Sequence, residues 1–294
     1  MVKRKLLVIF NPAARGEKSQ RLLAFLEAKA GPDIVLAPTT GTGDATRLAA
    51  QGVAQGHDLI VAAGGDGTIN EVVNGLGPAG VTLGVLPLGT VNVFAREFAL
   101  PRRLETAWAL LEQGRTMVVD LACAEFGPNR RYFVQLAGVG FDAHAVRTAS
   151  WALKKRIGPL SYVVAGLKAL RTTHPTVEVV PAGAAAVRGA AVFIGNGRFY
   201  GGSFKLFPHA RLDDGLLDVC VFDGTGYRDM ARYAVGLVCG RHTRLRGVHY
   251  FQASDFVCRA DSPVPFQLDG EDAGDTPVRF TLLPRALRVL VPAN

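Results

Sequence analysis

Three glycines, an acid and a hydroxyl lie together in the segment Gly64-Gly65-Asp66-Gly67-Thr68, a combination that suits the binding of a phosphate group. The apolar run before it, residues 59–63, is typical of a buried strand. After it, apolar residues recur at the spacing of one helix face, at positions 69, 72, 73 and 76. Where a strand turns into a helix, backbone N–H groups and the positive end of the helix dipole converge on one place. We therefore predict that this turn binds an anionic group, foremost a nucleotide phosphate.

Asp66 is the unusual member of this turn, because a carboxylate would repel a bare phosphate. Its presence makes sense if a metal ion lies between the two, or if it orients a reacting hydroxyl. The sequence of this turn matches neither the Gly-x-x-x-x-Gly-Lys-Ser/Thr loop nor the Gly-x-Gly-x-x-Gly loop. The alternative is a tight turn in which Asp66 caps the next helix, and the turn alone does not decide between the two.

Other acids lie in turns as well. Glu271 follows Asp269-Gly270, a turn that would present its carboxylate to accept the proton of a substrate hydroxyl. Its alternative is an exposed turn acid, because surface turns favour such residues. Asp214 lies in an Asp-Asp-Gly sequence, which is an ordinary turn signal. Asp120 either joins a polar network around a metal ion or caps the end of a strand.

Strands alternate with helices in the first part of the chain, which predicts a parallel α/β sheet. The predicted strands are residues 5–10, 33–37, 59–63 and 81–86, and helices lie between them. Four loops rich in Gly, Thr, Asn or Asp follow these strands, near residues 11, 39, 65 and 90. Ligands bind at the carboxyl ends of the strands of such sheets. We therefore expect the four loops to form a single nucleotide site.

The pattern changes near residue 116, after which strands dominate and predict an antiparallel β-sandwich. We place the domain boundary near residue 118, with domains 1–118 and 119–294. Two helical segments, near 152–171 and 227–238, interrupt the strands. The predicted strands of this part are 117–121, 132–137, 176–180, 190–194, 217–222, 250–257, 265–268, 278–283 and 287–291.

The whole chain of 294 residues carries a net charge of +8, which favours anionic partners such as nucleotides, nucleic acid or an acidic membrane surface. Its four cysteines show no Cys-x-x-Cys spacing, so we expect them to be small buried residues in a reducing compartment. No run of about 18 uncharged apolar residues occurs. These features predict a cytoplasmic protein that visits a membrane surface.

Two basic segments are candidates for that surface contact. Residues 145–157 mix basic residues with Trp151, as interfacial helices on anionic lipid do. Arg241, Arg244 and Arg246 form a second cluster. The alternative for each is a solvated basic face. Nucleic-acid binding is not expected, because the basic clusters lack aromatic stacking platforms and a reader motif.

A set of short motifs occurs in order along nearly the whole chain. In the first half they are Asn11-Pro12, Gly64 to Glu71 and Pro87-Leu88-Gly89-Thr90-Val91-Asn92, with Phe94-Ala95-Arg96 close behind. In the second half they are Gly138 to Ala143, Gly195 to Gly202, Asp213 to Asp218 and Asp269-Gly270-Glu271. This ordered set resembles the diacylglycerol kinase catalytic-domain family, in its bacterial branch of diacylglycerol- and sphingosine-type lipid kinases.

The resemblance implies an ATP- and magnesium-dependent kinase of a lipid hydroxyl, foremost of diacylglycerol, with two domains around a cleft. It implies that Glu271 is the general base and that Asp66 also acts in catalysis. A structural magnesium would be held by Asp214 and by the backbone carbonyls of Arg211 and Leu216. The residues that the resemblance places against ATP are Asn11, Thr39, Gly65, Asp66, Gly67, Thr68, Ile69, Asn70, Glu71 and Thr90.

One position departs from the family pattern: Val93 stands where an aspartate is common after the asparagine of the Thr90 loop. A sphingoid base or another glycolipid remains an alternative substrate. A NAD kinase is a further alternative, because NAD kinases share the Gly-Gly-Asp-Gly turn. Val93 also motivates a catalytically silent lipid- or nucleotide-binding regulator, against which Asp66 and Glu271 argue. A homo-oligomer is left open.

Overall fold

The computed structural model describes residues 5–12, 17–148 and 175–293, so the predicted helical segment 152–171 lies outside the described residues. The chain divides into two compact units, one of Met1–Leu121 with Pro284–Asn294 and the other of Ala122–Leu283. Within the described ranges, no helix has the length and apolar character needed to cross a bilayer.

The first unit is built around a parallel sheet in the order β2-β1-β3-β4, with the last strand of the chain beside β4. In register, Leu6 pairs with Ile34 and Leu59, and Leu59 pairs with Thr82. The strands are parallel because a helix follows each of the first three, as the sequence predicted. The elements are β1 (Leu6–Phe10), α1 (Glu17–Lys29), β2 (Ile34–Pro38), α2 (Asp44–Ala54), β3 (Leu59–Gly64), α3 (Asp66–Leu76), β4 (Thr82–Pro87), α4 (Val93–Glu97) and α5 (Leu104–Gln113).

Two long strands, β5 (Arg115–Phe126) and β18 (Val278–Val291), each begin in one unit and end in the other. The remaining elements belong to the second unit. They are β6 (Asn129–Phe133), β7 (Leu136–Gly140), α6 (Phe141–Thr148), β8 (Val177–Pro181), β9 (Val187–Gly189), β10 (Ala191–Gly195), β11 (Phe199–Tyr200), β12 (Phe204–Lys205), β13 (Leu217–Phe222), α7 (Tyr227–Val238), β14 (Val248–Ala253), β15 (Asp255–Arg259), β16 (Pro265–Leu268) and β17 (Glu271–Asp275), with a 3-10 turn at His242–Arg244.

The second unit is a sandwich of antiparallel strands, which confirms the predicted fold class. One sheet has the order β14-β13-β10-β7-β16-β17, and the other includes β18, β15, β8 and β9. Side chains of both sheets enter one core, for example Val139 and Val219 from the first and Phe256 and Phe280 from the second. The regular spacing of the strands and the Gly/Pro turns between them are the local signals from which the sandwich was predicted.

Three predicted strand boundaries were wrong. The predicted strand 132–137 is two strands, because the carboxylate of Asp269 binds the amides of Val134 and Gln135 between them. The predicted strand 250–257 is also two strands, β14 and β15. The predicted strands 278–283 and 287–291 are a single strand, which continues past Arg285 although this residue has a φ of 54°.

Two further findings concern expectations from the whole chain. Cys123, Cys220 and Cys258 are buried as predicted, but Cys239 is exposed, because it ends a helix at the surface. The chain leaves the first unit after Leu121, close to the boundary placed near residue 118, and returns to it at Pro284. The return was not predicted, because parallel pairing of a late strand with β4 leaves no local signal in the sequence.

Candidate functional site

The glycine turn of the first unit has the predicted strand–turn–helix form. Strand β3 ends at Gly64, Gly65 is in extended conformation, and α3 begins at Asp66. The N–H group of Ile69 donates to the Gly65 carbonyl at 3.1 Å, which closes the first turn of the helix. Helix geometry leaves the amides of the residues before Ile69 without acceptors inside the helix. The turn therefore points several N–H donors away from the sheet, as an anion site requires.

This turn packs closely against the loop that contains Thr90. The Leu88 N–H group donates to the Gly64 carbonyl at 2.9 Å. A Cβ atom added to Gly89 would lie 2.8 Å from the Gly65 Cα atom, so the two main chains approach too closely for a side chain. The structure thus brings two of the four predicted loops into contact, and glycine is required where they meet.

Asp66 links the same two loops through its carboxylate. Its Oδ1 atom accepts the Phe94 N–H group at 3.3 Å. Burial raises the pKa of Asp66, while hydrogen bonds from the amides of Phe94, Val93 and Asn92 lower it. The cap that the sequence offered as an alternative therefore exists, but it belongs to α4, not to the helix that follows the turn. The residue that departs from the family pattern, Val93, begins this capped helix.

Asn92 is a further site candidate, for which no role was predicted from the sequence. It is 1% exposed and has a left-handed φ of 48°. Its Nδ2 atom donates to the Gly89 carbonyl at 3.2 Å, whereas its Oδ1 atom has no donor among the described residues. Buried polar atoms normally have a partner, so this acceptor beside the glycine turn calls for a ligand or a water molecule. The signal in the sequence was its place in the Thr90 motif.

The loop after β2 is organised by two acids. Thr39 is buried at the strand end, and its N–H group donates to the Phe10 carbonyl at 2.9 Å. Asp44 accepts the Thr40 N–H at 2.8 Å and also the Thr40 hydroxyl, and these bonds lower the pKa of Asp44 to about 2. Glu71 Oε2 accepts the Ala45 N–H group at 3.1 Å. Glu71 thus helps to cap α2 as well as lying in the predicted ATP segment.

The remaining residues predicted to contact ATP fall into two groups. Asn11 follows β1 and is half-buried, Gly67 and Thr68 are half-buried on the first turn of α3, and Thr90 is exposed. In contrast, the side chains of Ile69 and Asn70 are buried. Since the N–H group of Ile69 is also bonded to Gly65, this residue presents neither its side chain nor its amide to a ligand.

In the second unit, a rigid turn precedes Glu271. The carboxylate of Asp269 accepts three backbone N–H groups, from Val134 at 2.8 Å and from Gln135 and Leu136 at 3.0 Å each. Asp269 itself has a left-handed φ of 48°. Three bonds from amides to one carboxylate fix the turn firmly, because charge-assisted hydrogen bonds are the strong ones.

A buried polar chain holds the same turn from the other side. The Gly270 N–H group donates to Gln267 Oε1 at 2.7 Å, and Gln267 Nε2 donates to Asp142 Oδ2 at 2.8 Å. The Tyr200 hydroxyl donates to Asp142 Oδ1 at 2.5 Å. Burial raises the pKa of Asp142, and these two hydrogen bonds oppose that rise. The chain was not predicted, because its hydrogen bonds join residues that are up to 125 positions apart in sequence.

Glu271 itself is half-exposed at the start of β17. Its Oε2 atom lies 3.3 Å from the Arg131 Nη2 atom, and the two side chains are 42% and 32% exposed. The next residue, Asp272, forms an ion pair with Arg147 at 2.9 Å. Both arginines are contacts that the sequence did not indicate. Glu271 is therefore an accessible carboxylate next to a turn that hydrogen bonds hold in place, and it pairs with an arginine.

The loop with Asp214 forms an ordinary turn. Asp214 Oδ1 accepts the Leu216 N–H group at 3.1 Å around Gly215, whose φ is 75°. The Arg211 Nε atom lies 3.2 Å from the Oδ1 atom of the neighbouring Asp213, so Arg211 forms its ion pair with Asp213 and not with Asp214. Nearby Asp218 is buried, and burial, with a smaller contribution from the charge of Asp214, raises its pKa. The described residues contain no cluster of three or more His, Cys, Asp or Glu side chains able to hold a metal ion.

Both halves of the chain match known protein-family models. Residues 5–124 match the model of the diacylglycerol kinase catalytic domain. Residues 135–291 match the YegS C-terminal NAD kinase beta sandwich-like domain. The chain belongs to the diacylglycerol kinase catalytic-domain family. It is a lipid kinase, as the sequence motifs indicated.

Relatives of this lipid kinase cover it from end to end. A diacylglycerol kinase of Bacillus subtilis (strain 168) is 33% identical over 97% of this chain and 95% of its own length. A probable lipid kinase YegS-like of Pseudomonas aeruginosa (strain UCBPP-PA14) is 33% identical over 100% of this chain and 96% of its own. The crystal structure of a candidate diacylglycerol kinase from Bacillus anthracis str. Sterne superposes with a TM-score of 0.82, at 25% identity over 100% of this chain and 97% of that one.

Proposed function

We propose that this lipid kinase transfers the γ-phosphoryl group of ATP to the free hydroxyl of diacylglycerol, with Mg²⁺ as its metal ion, and so forms phosphatidic acid. The observation that carries the proposal is the fixed turn Asp269-Gly270-Glu271, which presents an accessible carboxylate. The name of the Bacillus subtilis relative supports diacylglycerol as the substrate. The role of Glu271 and the identity of the lipid substrate can be tested separately.

The first unit would bind ATP through the glycine turn. Amides at the start of α3 donate to phosphate oxygens, because these N–H groups have no acceptor within the helix. The unpartnered Oδ1 atom of buried Asn92 accepts a hydrogen bond from the nucleotide or from a water molecule that it orders. The side chains of Asn11 and Thr39 follow two neighbouring parallel strands at the same edge of the sheet, where ligands of such sheets bind.

The residues also fit magnesium by the chemistry of their donor atoms. Mg²⁺ prefers oxygen ligands and keeps several waters, so one carboxylate together with phosphate oxygens suffices. Asp66 is the carboxylate in the glycine turn, and one of its oxygens accepts the Phe94 amide. A structural ion would bind Asp214 and the carbonyls of Arg211 and Leu216, again an all-oxygen set. Magnesium held by these residues would supply positive charge to neutralise the charge that develops on the phosphates during transfer.

Glu271 would take the proton of the lipid hydroxyl as the phosphoryl group arrives. Its pairing with Arg131 orients the carboxylate, while the bonds to Asp269 and Gly270 hold the backbone on which it stands. Phosphoryl transfer passes through a loose transition state in most analyses, so proton removal comes late. The contribution of the base therefore lies at the lower end of the range for general-base catalysis.

The test is Glu271→Gln, which keeps the size of the side chain but removes its basicity. We expect kcat to fall by about 10²-fold, the lower end of the range for general-base catalysis, while the KM values for ATP and lipid change little. Glu125→Gln is the matched control, because Glu125 is a part-exposed glutamate that also pairs with an arginine, Arg130. A kcat for Glu271→Gln within about threefold of wild type would show that Glu271 is only a turn acid.

The substrate is tested with a panel of lipids in mixed micelles with labelled ATP. Diacylglycerol should be phosphorylated fastest, and activity should require added Mg²⁺ after treatment with a chelator. A clear preference for a sphingoid base or a glycolipid, or phosphorylation of NAD in place of any lipid, would replace the substrate proposed here. Activity that survives complete metal removal would reject the magnesium part.

A further inference from the structure

Helix α7 exposes a row of apolar side chains to solvent. Tyr227, Val235 and Val238 are 58%, 64% and 74% exposed. They account for half of the large apolar side chains that are exposed among the described residues, although α7 is only 12 residues long. Ala231 and Ala234 are exposed as well. An apolar row of this kind on a folded protein marks a surface that binds another apolar surface, such as that of a protein or a membrane.

The exposed residues lie on one face of the helix. From 227 to 231, from 231 to 234 and 235, and from these two to 238, each step is three or four residues, which is the spacing of one helix face. The opposite face already packs on the protein, because Tyr233 is buried and Met230 and Leu237 contact the core beside strands β10 and β13. The helix is therefore apolar on two faces, and folding of the second unit covers only one of them.

A neighbouring strand enlarges the apolar surface. Strand β12 packs against α7, and its Phe204 is 46% exposed. The next residue, Lys205, is exposed and basic. We use "α7 face" for the exposed side chains of Tyr227, Ala231, Ala234, Val235, Val238 and Phe204.

Basic residues lie on α7 and in and beside the 3-10 turn that contacts it. Residues 227–246 contain five arginines and one acid, Asp229, and Arg232 pairs with that acid at 3.1 Å. Of the nearby acids, Asp223 is paired with His249 at 2.9 Å. The other four arginines, Arg228, Arg241, Arg244 and Arg246, are exposed. The surface therefore combines apolar side chains with a net positive charge, which is the complement of an anionic lipid bilayer.

The geometry points to the α7 face as the surface by which this protein binds an anionic bilayer. The apolar side chains enter the boundary between headgroups and acyl chains, and the arginines lie among the lipid phosphates. The inference rests on the proposed lipid kinase function. It adds the identity of the surface that binds the membrane. It also gives a structural setting to the cluster Arg241, Arg244 and Arg246. The other basic segment, 145–157, lies outside the described residues beyond Thr148.

The experiment measures binding of the full chain, without ATP, to phosphatidylcholine vesicles with and without phosphatidylglycerol. We expect the double variant Val235→Asp/Val238→Asp to lower partitioning onto the anionic vesicles by about tenfold or more, because charges cannot enter the acyl boundary. Leu23→Asp is its control, since Leu23 is also on a helix and 40% exposed. The double variant Arg241→Gln/Arg244→Gln should lose about 30-fold, at about fivefold for each basic residue.

A second control removes the same charge elsewhere. Arg103→Gln/Arg115→Gln changes two exposed arginines of the first unit and should alter binding far less. All variants should keep the melting temperature of the wild type, because the substituted side chains are exposed. They should also keep the wild-type rate on a short-chain diacylglycerol that is dispersed as monomers.

The outcomes separate this inference from the proposed function. Equal vesicle binding by wild type and both α7 variants would overturn the α7 face as the membrane contact, even if the protein phosphorylates lipid. Loss of binding in these variants would support it, even if the lipid substrate proves to be different. A concentration-dependent dimer that Val235→Asp/Val238→Asp dissociates would assign the face to a second copy of the chain and overturn the inference.

Discussion

Gly138 on β7 offers a sharp test of the buried chain behind Glu271. A Cβ atom at this position would lie 2.3 Å from Asp142 Oδ2 and 2.9 Å from Gln267 Nε2, the two atoms that form the central hydrogen bond. Gly138→Ala therefore inserts a methyl group where the chain has no space and forces the two partners apart.

The expected cost follows from two effects. Overpacking of a core costs about 1–3 kcal/mol. Loss of a hydrogen bond to a buried carboxylate costs about 1.5–3 kcal/mol more. The free energy of unfolding should thus fall by about 2.5–6 kcal/mol. For a domain of this size each kcal/mol lowers the melting temperature by about 2–4 °C, so a decrease of roughly 5–24 °C is expected.

The assay is thermal unfolding followed by circular dichroism, together with kinase activity well below the melting temperature. Because the same chain holds Gly270, a displaced turn should also lower kcat, by up to about 10²-fold for a shift of about 1 Å. Gly31→Ala is the matched control, since a Cβ atom there meets nothing within 4 Å. A melting temperature within about 2 °C of wild type would refute the tight packing of Asp142 against Gln267.

The remaining predictions concern the two other carboxylates of the site. Asp66→Ala should abolish turnover and also lower stability by about 0.5–2 kcal/mol, because α4 loses its cap. Near-normal activity in this variant would remove Asp66 from the mechanism. Asp214→Ala should lower the melting temperature and weaken its dependence on added Mg²⁺, if a structural ion binds there. Identical melting curves of the wild type with and without a chelator would leave Asp214 as a turn residue alone.

Local features of the site were predictable from the sequence. The junction of β3 and α3 was found because an apolar run, three glycines and helical spacing follow one another within residues 59–76. Each of these signals depends only on neighbours in the chain. The sandwich was recognisable for the same reason, since strands and turns are local patterns.

Contacts between distant residues were not predictable. Asp66 was weighed as a cap for the helix next to it, but its carboxylate binds Phe94, 28 residues later. The pairing of Glu271 with Arg131 spans 140 residues. The split of strand 132–137 follows from Asp269, which no window around those residues contains. In each case the folded structure determines which partner the polar side chain binds, and the hydrophobic pattern of the sequence does not indicate that partner.

The last strand has a consequence for how this protein is made. Arg288 and Val289 of β18 pair with Thr82 and Leu83 of β4. The sheet of the first unit therefore includes a strand that is synthesised long after the others. About 200 residues must be translated between β4 and Arg288, which takes roughly 10–40 s at about 5–20 residues per second. Throughout that time β4 offers an unpaired edge to other nascent chains. A fragment that stops at Leu121 would keep this edge exposed, so we expect it to aggregate where the longer chain does not.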